Sequence, residues 1–324
     1  MTDWVSVHAF HQEDQDALLA EGIAPAVAGL RRDDLARGWF FLRYWEGGPH
    51  VRVRVAAAPG HAAAVEATLL DRVGRYLRAH PSTEWPDAER YTHLAAGLAK
   101  REGLDGADTV LRPRDTVAVV PYRPEHQVYG TGASLACVER HFVESSRLAL
   151  DQITAGTPQS RRCGLALSLN LLTLAAWEPD LDRVPQTLDP AGGLDWRSFE
   201  SPDLEAAYLG QRDRLREHAR GLWELAGQGG DDGEPLSGWL RSVKRLRTSL
   251  DLLAAEGELA VQVPRSPYTW RFDHLRGPQR VVAGILLRCA HLACNRLGVP
   301  LADEMYVTYL AARILADLTP VRGK

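Results

Sequence analysis

His50, Arg52 and Arg54 take alternate positions in the run HVRVR, and a period of two puts their side chains on one face of a strand, with Val51, Val53 and Val55 on the other. Arginine offers planar, paired donors suited to carboxylates and peptide carbonyls, and histidine moves protons near neutral pH. A second group, Arg288, His291 and Asn295, recurs at steps of three and four with Gly284 one turn earlier, in a segment that is otherwise apolar. On a helix these positions fall within about 60° of one another. A third group, Ser266, Tyr268, Thr269 and Trp270, sits in VQVPRSPYTWRF, where Pro264 and Pro267 preset an extended backbone that would present hydroxyl and indole donors from a stiff loop.

Each group has a plainer reading beside the chemical one. The basic strand face could be solvated sheet surface, the polar stripe a thin exposed edge, and the Tyr268–Trp270 loop an aromatic plug over the core. The strand face carries the strongest signal. With Glu46–Pro49 as a four-residue loop, Trp45 would pair with His50 and Arg43 with Arg52, so that Arg43, Trp39, Phe41 and Trp45 would share the basic face. Clustered cations repel one another, which favours a face built to meet an anion or a peptide.

The elements that must hold these groups follow from periodicity. Strands are expected at Trp4–Phe10, on both sides of the Gly47-Gly48-Pro49 turn, and at Asp115–Tyr122; helices are expected over 12–30 and 61–79, with a loop-rich stretch around Trp85 and Tyr91. From Ser134 the pattern turns helical, over 134–153, 160–177, 202–226, 235–255, 279–297 and 301–318, and Gly227–Gly233 reads as a surface loop. Strands followed by helices predict an α+β fold, an antiparallel or mixed sheet packed with a helix-rich C-terminal part, as a single domain over 1–324. Glu139, Arg140 and Glu144 read as a charged helix face.

With 324 residues, 45% hydrophobic and 25% charged, the chain can bury a sizeable core, and a net charge of -4 provides no global field for nucleic acid. Cys137, Cys163, Cys289 and Cys294 form no metal-ligand spacing, and no phosphate loop, dinucleotide fingerprint or nucleophile elbow is present. No cofactor and no metal are expected. The first residues lack a signal-peptide pattern and no apolar run is long enough to span a bilayer, so a cytoplasmic protein with reduced thiols and no membrane partner is expected.

Taken together, Trp4, WFFLRYWEGGPHVRVR, YRPEHQVYGTGASLACVERHFVESS and HLACNRLGV, in this order and across nearly the whole chain, resemble the thiopeptide-type C-terminal family of lantibiotic dehydratases. The resemblance implies the elimination-domain fold and an enzyme acting on a ribosomally made precursor peptide, with its leader and a dehydrated, azole-containing core. Members include glutamate-elimination domains and stand-alone pyridine synthases, which join two dehydroalanines in a formal 4+2 cycloaddition with loss of water and leader. Eliminating members use an arginine matching the His50–Arg54 strand and a histidine matching His291, and both are kept. Where they have Arg-Tyr-Gly-Gly, this chain has Val128-Tyr129-Gly130-Thr131, without the arginine that would partner a carboxylate. The expectation is therefore a pyridine synthase, with His291, Tyr268, Ser266 and Arg52 catalytic and Arg43, His50, Arg54, Trp270, Arg288 and Asn295 binding the peptide. A stand-alone glutamate eliminase and a non-catalytic leader-binding protein are the alternatives, and the oligomeric state, a homodimer included, stays open. The strand cations and the helix stripe are expected to line one hollow.

Overall fold

A computed structural model describes residues 2–84, 87–102, 108–184, 202–228, 234–259, 261 and 275–318. The fold is α+β. The chain groups into two compact units, one of Met1–Pro124 with Ala149–Gly156, the other of Glu125–Leu148 with Thr157–Lys324.

The first unit is built on an antiparallel sheet of β1 (Trp4–Phe10), β2 (Ala36–Tyr44), β3 (His50–Ala57) and β4 (Thr116–Val119), in the order β2-β3-β1-β4. Alternation sorts its two faces. Val5, Val7, Ala9, Phe41, Val51, Val53 and Val55 are buried on one, where α3 (Ala62–Ala79) brings Gly74 within contact distance of Val117. The buried Val65, Leu69, Val73 and Leu77 of α3 recur every four residues, which is why this helix lies flat on a sheet. Gln15–Arg32 is helical throughout, as α1 (Gln15–Ala17), a π-helical stretch (Leu18–Ile23) and α2 (Ala24–Arg32), and Asp14 caps its start by accepting from the amides of Asp16 and Ala17.

The hairpin register corrects the sequence reading. Tyr44 pairs with His50, Arg43 with Val51, Leu42 with Arg52 and Phe41 with Val53. The connection is thus Trp45–Pro49, one residue longer than expected, and a slip of one residue reverses every side chain of β2. Trp39, Phe41 and Arg43 stand on the valine face, and Phe40, Leu42 and Tyr44 accompany the basic residues. The extra residue is accommodated by Gly47 and Gly48, at φ 77° and 111°, and by a tyrosine from a distant helix. Residues 88–102, read from sequence within a loop-rich stretch, form α4 (Ala88–Glu102), whose Tyr91 hydroxyl donates to the Trp45 carbonyl at 2.8 Å and accepts from the Gly48 amide at 3.0 Å.

The second unit is helical: α5 (His126–Tyr129), α6 (Gly132–Thr154), α7 (Gln159–Trp177), α8 (Pro202–Leu209), α9 (Arg212–Gln228), α10 (Pro235–Ala255), α11 (Gly277–Arg296) and α12 (Leu301–Leu318); the last residues of α6 group with the first unit. Helix α7 is its axis, buried almost continuously from Ala166 to Ala176 and touched by α9, α10, α11 and α12. Trp239 of α10, 1% exposed, anchors there by donating to the Leu169 carbonyl and the Thr173 hydroxyl. Arg247 donates to the carbonyls of Ala176 and Trp177, a cation at the end where a helix leaves carbonyls without intrahelical partners. The expected single helix over 202–226 is interrupted at Gly210 and Gln211.

Candidate functional site

In the first unit the expected site residues form a tight stack. His50 is fully buried between His8 and Phe10, with both ring centroids 4.7 Å away. Its Nδ1 lies 2.8 Å from the Gly48 carbonyl, which only accepts, so Nδ1 carries the proton; Nε2 then accepts from Arg52 Nε at 3.2 Å. Burial, with Arg52 and Arg54 adding to it, holds the His50 pKa down at about 3, and burial with the neighbouring His50 holds His8 at about 2. Both rings are neutral at pH 7, so the face carries two guanidinium charges rather than the expected four clustered cationic or titratable groups.

Those two charges have partners within the unit. Arg52 lies over the Tyr44 ring at 3.5 Å and donates through Nη2 to Glu46 at 2.7 Å. Arg54, 7% exposed, sits 5.5 Å from the Tyr122 ring and 6.0 Å from that of Phe40. Arg43, expected beside them, instead reaches Asp16 of α1 at 2.5 Å from the other face.

In the second unit α11 keeps its expected stripe. Arg288, His291 and Asn295 are half-buried, whereas Val282–Leu286, Cys289, Ala290, Ala293 and Cys294 are buried. His291 Nδ1 lies 2.6 Å from Glu304, an almost fully buried carboxylate in the first turn of α12, where a helix N-terminus favours negative charge. The pair fixes the orientation of the ring. Arg288 donates to Glu125 at 3.0 Å. Burial works against the Arg288 charge, but Tyr129 and Glu125 more than offset it and hold its pKa above the ordinary value. Tyr129, buried, has its pKa driven up by desolvation and by Glu125. Gly130, at φ 78°, turns the chain after α5 where an added Cβ would come 3.0 Å from Val261, so this position favours glycine. Val128, expected from the resemblance to stand where eliminating members have an arginine, is 1% exposed.

Sequence reasoning missed Glu46, Glu125 and Glu304, the carboxylates that occupy Arg52, Arg288 and His291. For Glu304 there was a signal, an acid three residues after the start of a helix; for the other two there was none, since they lie in loops. It also missed Arg296, fully buried on α11, which stacks 4.8 Å from Phe142 and hydrogen-bonds Ser145, and whose pKa burial lowers to about 10. Ser266, Tyr268 and Trp270 lie outside the described residues. Arg52 and His291 belong to different units. Among the described residues, no three His, Cys, Asp or Glu side chains gather as a metal site, and no helix is long and apolar enough to cross a membrane.

Comparison with solved structures gives three informative likenesses of fold. The pyridine synthase TbtD from thiomuracin biosynthesis superposes with a TM-score of 0.74 at 23% identity, covering 97% of this chain and 98% of that one. TsrL matches with a TM-score of 0.66 at 20% identity, over 98% and 95% of the two chains. The tRNA-dependent lantibiotic dehydratase MibB from Microbispora sp. 107891 matches with a TM-score of 0.57 at 20% identity, over 97% of this chain but 28% of its own length. No curated protein sequence matched. The profile described as lantibiotic biosynthesis dehydratase C-term aligns with residues 4–315, and the chain belongs to that family.

Proposed function

We propose that the chain is a thiopeptide biosynthesis enzyme, a pyridine synthase that joins two dehydroalanines of a ribosomal precursor peptide into a six-membered nitrogen heterocycle. The observation that carries this reading is the way the expected cations are already occupied. Arg43, Arg52 and Arg288 each hold a carboxylate of the chain itself, and the eliminases' arginine is a buried valine. A glutamyl carboxylate would have to displace an internal partner, at the cost of leaving a charge unpaired, whereas a dehydroalanine pair brings no charge to accommodate. The mutual coverage with TbtD, 97% and 98%, supports the same reading.

In this reaction one backbone amide shifts to its iminol form, the resulting azadiene meets the second alkene, and water and then the leader depart. Holding both alkenes in contact makes the encounter effectively unimolecular, the largest gain available without a cofactor. His291, its ring oriented by Glu304, is the proton-transfer group. Tyr268 and Ser266 supply donors to the iminol oxygen, and Trp270 and Asn295 bind the core peptide. Arg52 and Arg54 form a pre-organised face for peptide carbonyls, His50 holds Arg52 in place from below rather than binding the peptide itself, and Arg288 borders the stripe.

Incubation with a bis-dehydroalanine precursor, followed by mass spectrometry, should show loss of water and release of the leader. Loss of glutamate from a glutamylated precursor, with no ring formed, would instead identify a stand-alone eliminase. Tight peptide binding with no mass change in either substrate would identify a leader-binding protein.

A further inference from the structure

In the first unit, β4 is an outer strand of the sheet, with β1 on its inner side. The Val120 amide donates to the Ser6 carbonyl, and the register pairs Val119 with Val7 and Ala118 with His8. Alternation then turns the amides and carbonyls of Thr116 and Ala118 toward β1 and those of Val117 and Val119 outward. Among the described residues nothing hydrogen-bonds to these outward groups, and Val119 is 44% exposed. Such an edge is a template for another extended chain. The opposite edge, β2, has an irregular register between Ala36 and Gly38, a feature that discourages pairing. The register of β4 is unbroken, and Thr116, Val117, Ala118 and Val119 carry no charge that would guard it.

The charges stand around the edge instead, and they are of one sign. Arg114 precedes β4, Arg123 follows it, and both are exposed. A Cβ placed on Gly74 would meet Arg78 Nη1 at 3.2 Å and Val117 Cγ1 at 3.5 Å, so a third exposed guanidinium lies where α3 meets the edge. Among the described residues, Arg78, Arg114 and Arg123 have no hydrogen bond and no ion pair through their side chains. Arg112 is paired with Asp108, and Asp115, the one acid between Arg112 and Arg123, is held by His11 and Ser82. A chain of net charge -4 thus keeps three unspent cations around one open strand edge.

We propose that the free edge of β4 takes up an acidic peptide in extended conformation as a fifth strand, with Val117 and Val119 supplying the backbone hydrogen bonds and Arg78, Arg114 and Arg123 pairing with its carboxylates. A second copy of the chain fits poorly, because an antiparallel pairing of two β4 strands would set Arg114 of each against Arg123 of the other, like charge against like. An acidic strand has the complementary charge and the same backbone groups. The site is independent of the cyclisation assigned above and is read without any turnover.

The test is fluorescence anisotropy of the labelled peptide Asp-Glu-Val-Thr-Val-Glu-Asp-amide titrated with the full chain at low salt. It should bind with a dissociation constant below about 1 mM. Replacing its acids by lysines, or N-methylating its three central residues, should each weaken binding about tenfold or more. In the chain, Val119→Pro removes an outward amide while sparing the ladder to β1, and should weaken binding by a similar factor with the melting temperature nearly unchanged. The double change Arg114→Ala and Arg123→Ala, at exposed positions, should weaken it about fivefold, and this variant and the N-methylated peptide decide the matter where Val119→Pro does not fold. Absence of binding, an N-methylated or lysine peptide that binds as tightly as its parent, or binding unchanged in the double variant would overturn the proposal. Dimers in sedimentation that Val119→Pro abolishes would overturn it too, by assigning the edge to a second copy.

Discussion

His50 in the first unit and His291 in the second both spend Nδ1 on a partner within the chain, but the partners differ. His50 faces a backbone carbonyl, is fully buried, and gives its remaining nitrogen to Arg52. His291 faces a carboxylate and is about a quarter exposed. A ring that is fully buried, with its charge suppressed and both nitrogens committed to a carbonyl and a guanidinium, is a structural cross-link. A ring oriented by an acid and partly open to solvent is equipped to carry a proton. Residue type alone does not separate the two roles; burial and the partner of Nδ1 do.

This contrast breaks in four places if it is wrong. Replacing His291→Ala should lower the rate of ring formation by about 10²-fold or more with the melting temperature nearly unchanged, and a variant that unfolds instead would make His291 a second cross-link. His50→Ala should do the reverse. It leaves the Gly48 carbonyl and Arg52 Nε without their partner and opens space beside His8 and Phe10, for a loss of about 2–4 kcal/mol in urea unfolding, with the turnover of the folded fraction retained. Glu304→Gln keeps the shape of the His291 contact but not its charge, and should cost about tenfold in rate. Acid should be felt through the buried rings. Burial holds His8, His50 and His141 down at about 2, 3 and 3 in the folded chain against the ordinary imidazole value of 6.5, so between those limits the unfolded chain binds the extra protons. Their stabilisation is present above pH 6.5 and is lost as pH falls toward 3. From pH 7.5 to 6.5 the loss should be roughly 1 kcal/mol in unfolding free energy, and a flat profile would mean that these rings are not buried neutral.

Much of the scaffold was legible because its elements are periodic. The strand Trp4–Phe10 and the helices starting at Pro235 and Leu301 lie where the pattern places them. The hairpin register was not legible, since it depends on a count of turn residues and on Tyr91, a helix residue over forty positions downstream. Arg43 was misplaced for that reason alone. The stripe on α11 was legible as a stripe because its polar residues interrupt an apolar helix, but its chemistry lies in Glu304 and Glu125, which periodicity cannot pair with it. His141 is the sharper lesson. In sequence it sits beside Arg140 in a charged helix face, and only the packing of α10 against α6 turns it into a buried ring hydrogen-bonded to Ser242.

The Tyr91 hydroxyl reinforces the β2–β3 connection, touching the Gly48 amide and the Trp45 carbonyl that also bond each other directly at 2.9 Å, so the tip of the basic hairpin is braced by a helix the hairpin does not contain. A Tyr91→Phe exchange would remove that brace while leaving the Gly48–Trp45 turn bond, the ties of Gly47 to Asp108 and Arg112 and every strand pairing intact. The tip would then be looser but not released, and if the hairpin meets a peptide the penalty would be visible in affinity before it is visible in rate.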